Sequence, residues 1–213
     1  MHWLRILPIA LVASAVAFAW VAKGPAVHAQ EDKDKITPEM SAVLDTMTKD
    51  VAKWADEKAV VDAVLAQNKV GPIADMTKEK WKEQRRRTPL IDGFQQNDAA
   101  KLMAERVKTT EGMVVEAFLS AAQGEKVAFL EKTSSYIHKG SPKFDVPFTT
   151  GKPWRGSPDF DESTQSYSLQ FSVPVFAPRA EGEGEDVPRK TIGVMTVGVD
   201  LEQLAERAKR AAG

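Results

Sequence analysis

The chain has 213 residues, enough for one domain or at most two small ones. Its 29 Lys+Arg nearly balance 30 Asp+Glu, and it holds no cysteine and three histidines. That composition excludes disulfides, a thiolate nucleophile and a Cys/His zinc site, and its mildly acidic, mixed charge speaks against nucleic acid as the main partner.

Residues 2–29 read as a secretion signal. Arg5 supplies the positive start, Ile6 to Ala22 are almost wholly apolar, and Val27-His28-Ala29 ends in the small residue preferred for cleavage. Cleavage after Ala29 would release a periplasmic protein; an uncleaved signal would leave it anchored. His2 and His28 would leave with the signal, so His138 becomes the one histidine of the mature chain. A Ser-His-Asp triad would have to pass through it, in a Tyr136-Ile137-His138-Lys139-Gly140 loop without nucleophile-elbow glycines. No catalytic residue, cofactor or metal site is expected.

Residues 30–36 form a short charged leader, expected to be disordered. Thr37-Pro38-Glu39 then opens a helix with a cap, a first-turn proline and an acid. Apolar residues at helical spacing from Met40 to Leu65 predict one helix of about thirty residues, roughly 45 Å long, stopped by Gly71-Pro72. Such a helix either flanks the core or forms a dimer seam. A second helix is expected over Thr77 to Arg87, and a third, capped by Asn97 or Asp98, up to Gly112. Val114, Val115 and Phe118 favour a strand, Gln123-Gly124 a turn, and Val127 to Leu130 the returning strand.

Pro142 to Pro158, with four prolines, reads as a long irregular stretch packed through Phe144, Phe148 and Trp154. Tyr167, Leu169, Phe171, Val173 and Val175 alternate with Ser166, Ser168, Gln170 and Ser172, a strand with one apolar and one polar face. Arg179 to Arg189 is a solvated hairpin loop, Thr191 to Val199 the last strand, and Asp200-Leu201-Glu202-Gln203 the cap of a short terminal helix. Strands gathered after helices give an α+β domain with an antiparallel sheet.

Thr133-Ser134-Ser135-Tyr136, Asp161-Glu162-Ser163-Thr164-Gln165, and the last two strands follow one another in an order that resembles the single Cache family, PAS-like extracytoplasmic sensor domains. The likeness runs from about Pro38 to Leu204 and is nearest to short secreted members. It implies a PAS-like antiparallel sheet behind a long N-terminal helix over 37–213. It further implies a small polar ligand (an amine, amino acid or carboxylate) held between the sheet and the loops before the last hairpin. Amino-acid-binding members place an Arg before aromatics, an acid after an aromatic, and an Asp near the end of the last strand. Here Lys143-Phe144, Phe160-Asp161 and Asp200 stand at those places. Lys for Arg loses the bidentate grip on a carboxylate, which leaves room for two acids facing an amine.

Each candidate also has a plainer explanation. Asp200 is a helix cap, Tyr136 a core tyrosine, and Gln170 a residue on a polar strand face. Trp81 and Arg85 share a helical face as a lid or a stacked surface pair, and Arg85-Arg86-Arg87 reads as solvated. Asp161 has the fewest packing reasons to exist. A domain without a transmitter of its own implies a separate membrane receptor, or an oligomer such as a homodimer through the first helix. A fold that has lost its pocket and serves only interaction is the alternative.

Overall fold

The computed structural model describes residues 35–85, 87–161, 166–184 and 186–213, with Asp161 described by its backbone alone. The expected signal, its cleavage site and most of the leader lie outside these residues, as does Arg86. Among them are α1 (Pro38–Ala55), α2 (Lys58–Val70), α3 (Lys78–Glu83), α4 (Pro89–Gln96) and α5 (Asp98–Lys108). Then follow β1 (Val114–Ala121), β2 (Lys126–Phe129), α6 (Pro142–Thr150), β3 (Trp154–Arg155) and β4 (Asp159–Asp161). The chain ends in β5 (Ser166–Phe176), β6 (Thr191–Asp200) and α7 (Leu201–Ala212). None of the described helices is long and apolar enough to cross a membrane.

All pairings in the sheet are antiparallel, in the order β2-β1-β6-β5-β3, with β4 also on β5. Counting β3 and β4 as one interrupted edge gives the PAS-like arrangement and the α+β class expected. The alternation in β5 sorts its two faces. Leu169, Phe171, Val173 and Val175 join Met195, Val197 and Val199 of β6 in the main core. Met40, Leu44 and Val51 of α1, Val60 and Val64 of α2, Met103 of α5 and Leu204 of α7 close that core from the other side. Gly193 is where α2 comes nearest: a Cβ there would stand 2.5 Å from Ser120 O and 2.8 Å from Val64 Cγ1. Asn68 fastens the same junction, donating to Ile192 O and accepting from Ala122 N, both at 2.8 Å.

Four expectations change. The single thirty-residue helix is two, broken at Asp56-Glu57, where Glu57 turns to extended geometry with ψ of 139°. The apolar pattern runs on through the break, but Asp56 pairs with Arg189 at 2.9 Å and Glu57 with Arg106 at 2.6 Å, from distant parts of the chain. The helix expected to reach Arg87 stops at Glu83. Pro89 opens a further helix, capped by Thr88 accepting from Ile91 N at 3.3 Å, because proline suits a first turn. The irregular stretch from Pro142 begins with α6, where Phe144 and Phe148 stack 5.1 Å apart and Gly151 closes the end in left-handed geometry.

Candidate functional site

The other face of the sheet is polar at its centre, and its register shows how. Gln170 of β5 stands opposite Gly198 of β6, and Gly198 opposite Glu116 of β1. The middle residue of this row has no side chain, so Gln170 Nε2 reaches over it and donates to Glu116 Oε2 at 2.6 Å. A Cβ on Gly198 would meet Glu116 Cβ at 3.0 Å and Oε2 at 3.4 Å. One row along, Ser172 and Thr196 share a buried hydrogen bond of 2.9 Å. From α6 above, Lys143 Nζ donates to Gln170 Oε1 at 2.9 Å. The Gln170 amide therefore joins a lysine on a helix to a glutamate two strands away.

Lys143 and Gln170 form the inner end of a cleft of about 450 Å³, walled by Trp154, Asp159, Phe160 and Ser168, with Gly156 and Ser157 at the broken sheet edge. The size suits a small organic molecule. Burial pulls the Lys143 ammonium below the usual lysine range, and Glu116 opposes that shift. Beyond Lys143 lies Lys126 of β2, fully buried, with Nζ 3.1 Å from the centre of the Phe118 ring. Loss of water drives its pKa well down; Glu116 works against this and Lys143 with it. His138 stacks on Phe118 at 4.8 Å and is held neutral, its pKa lowered to about 2 by burial and then by the two lysines.

The predicted site residues divide. Lys143 and Gln170 meet directly in the cleft. Asp161 pairs by its backbone with Ser166 at the same sheet edge. Asp200 accepts from Gln203 N at 3.0 Å as the cap of α7, and stands opposite Ser168 in the ladder. Tyr136 and Trp81 pack in a second core with Phe94, Phe118 and Phe129, away from the cleft walls. Tyr136 OH accepts from Ile73 N at 3.0 Å, and Trp81 Nε1 donates to Thr133 O at 2.8 Å. Trp81 is thus neither a lid nor a surface partner for Arg85, which lies exposed beyond the end of α3. Glu116, Lys126 and His138 are central to the polar face and carry no sequence signal of their own; only the register of β1 with β6 brings Glu116 to Gln170.

A larger groove of about 780 Å³ runs on the opposite side between α1, α5 and α7, lined among others by Met47, Trp54, Arg106, Glu111 and Arg207. Among its charges, Glu57 pairs with Arg106 and Glu111 with Arg207.

No family model matches the chain, and no curated protein does. Among solved structures, the chain is similar to the sensor domain of the histidine kinase DctB from Vibrio cholerae, at 15% identity and a TM-score of 0.47 over 84% of this chain and 57% of that one. It is also similar to the sensory domain of a Campylobacter jejuni chemoreceptor with isoleucine bound, at 15% identity and 0.42 over 86% and 62%. A third is the ligand-binding domain of the Pseudomonas aeruginosa amino-acid chemoreceptor PctC in complex with GABA, at 13% and 0.37 over 76% and 63%. The chain spans about three-fifths of the length of these domains.

Proposed function

We propose that the protein is a non-catalytic, small-molecule-binding sensor domain that works in the periplasm through a separate membrane receptor. The observation that carries this reading is the cleft ending on the Lys143–Gln170–Glu116 chain, polar groups converging on a space of ligand size. Gln170 can exchange its partners for those of a ligand, because both ends of its amide are held by side chains and neither by the sheet ladder. Asp161 and Asp200, on the strands that flank the cleft, belong to the same proposal as ligand-binding candidates.

A thermal-shift screen of amino acids, amines and carboxylates tests it. A ligand at a hundred times its dissociation constant stabilises by about 2.7 kcal/mol, which is readily measured. Gly198→Ala, which crowds Glu116, is expected to reduce the response by disturbing the chain of hydrogen bonds while the variant stays folded. No response from any class favours the second reading, an interaction protein using the amphipathic groove between α1 and α7.

A further inference from the structure

The charges behind the cleft bear on which ligand it takes. Lys143 is the basic side chain of the cleft wall, and it donates to the neutral oxygen of Gln170. Lys126 is wholly buried, and its Nζ has no hydrogen-bond partner among the described residues. Nζ of Lys143 stands 5.8 Å from the centre of the Phe118 ring, and that of Lys126 3.1 Å from it. Two lysines thus converge on one aromatic ring. The acid that acts on both is Glu116. His138, on the same ring, is neutral, and its buried Nε2 also lacks a partner. A ring face replaces only part of the water stripped from an ammonium, and two lysines here share one acid, Glu116, while the acid of the cleft wall, Asp159, accepts from its neighbour Phe160 N at 2.9 Å.

We propose that the cleft binds an organic carboxylate, whose oxygens accept from Lys143 beside Gln170 and place a negative charge next to the Lys143–Lys126 pair. This rests on the cleft being the ligand site. An ammonium has three hydrogens, and Lys143 gives one to Gln170, so a carboxylate can be seated with modest rearrangement. Trp154 and Phe160 line the cleft with aromatic surface for the organic part, which a bare inorganic anion would leave unused. A cationic ligand would instead bring a third positive group to the same place. Lys126 does not line the cleft; it is a positioning residue that acts through the field it adds behind Lys143.

Calorimetric titration of the purified protein with short mono- and dicarboxylates, and with the carboxamides and amines of the same skeletons, decides the matter. At least one carboxylate is expected to bind, with its carboxamide weaker by about tenfold or more, as expected for unit charges a few ångströms apart in a partly buried site. Lys126→Met is expected to bind that carboxylate roughly tenfold more weakly and its carboxamide unchanged, a loss of discrimination that damaged packing would not produce. The empty Lys126→Met protein should melt no lower than the parent, since a buried amino group without a hydrogen-bond partner gives way to a thioether of similar length. Lys143→Gln carries the same comparison if Lys126→Met fails to fold. Binding by amines alone, equal binding of carboxylate and carboxamide, or full discrimination in the lysine variants overturns the proposal while the ligand site stands. Binding by no class overturns both.

Discussion

At the scale of single residues, the polar sheet face depends on groups whose roles come from position. His138 shows this through pH. Burial first, then Lys126 and Lys143, lower its pKa from 6.5 to about 2. Between those values the unfolded chain binds a proton that the folded chain refuses, so stability is fully present above about pH 6.5 and is lost as pH falls. One proton changes stability by up to about 1.4 kcal/mol for each pH unit. Urea denaturation between about pH 6.5 and 4 is expected to show this slope, and His138→Gln to show a shallower one; equal slopes would mean that the imidazole is protonated in the folded protein. The alternation of β5 made Gln170 visible as a polar-face residue, and the resemblance to Cache domains pointed to Lys143. Glu116 and Lys126 were not legible, because a glutamate in a strand and a lysine after a turn look like solvent-facing residues until the register of β1, β2 and β6 is known.

At the scale of elements, the sequence showed where chain segments turn helical more reliably than where they stop. Thr37, Asn97 and Asp200 cap their helices as read, each accepting from a backbone N–H three residues on. The break between α1 and α2 left no trace in the apolar spacing, since Trp54 and Val61 are both core positions and the ion pairs fixing it join residues far apart in sequence. Proline misled in two directions: Pro89 looked like a stop and is a start, and the prolines after Ser141 hid a helix with a sound first turn. Asn68 ties α2 to both strands that meet at Gly193. Asn68→Ala leaves Ala122 N–H and Ile192 C=O without that partner and is expected to cost about 1–3 kcal/mol, read as a lower urea midpoint at unchanged slope. A change below about 0.5 kcal/mol would mean that water replaces both bonds.

At the scale of the whole molecule, one sheet separates two unlike environments. Its apolar face is sealed by α1, α2, α5 and α7, whose stripes are spent inside the monomer. A homodimer through α1 would therefore have to use that helix's outer, charged side. The other face holds the second core, the buried Lys126 on that core's Phe118 ring, and the cleft. The division was legible from the two-sided pattern of β5; the second core was not, since Trp81, Phe94 and Tyr136 sit in short segments with no shared periodicity. The proposed location makes its own prediction. The protein recovered from the periplasm should have the intact mass of a chain beginning at Gln30, and recovery of an uncleaved species in the membrane fraction would make it an anchored domain.

The two margins of the sheet have a consequence for how the protein behaves at high concentration. Its outer strands are β2, four residues long, and the β3–β4 margin of two and three residues interrupted at Gly156-Ser157-Pro158. Neither presents a long, flat row of free amides on which a strand from another copy could build. Proline within the interruption removes a donor where a visiting strand would need one. Of the long strands, β6 is paired with β1 and β5 along its two sides, and β5 is paired with β6 on one side and, between Ser166 and Ser172, with β4 and β3 on the other. Crowded copies of this domain are thereby offered only short margins for edge-to-edge pairing, and the uncovered end of β5 carries Pro174 among its four residues, Val173 to Phe176.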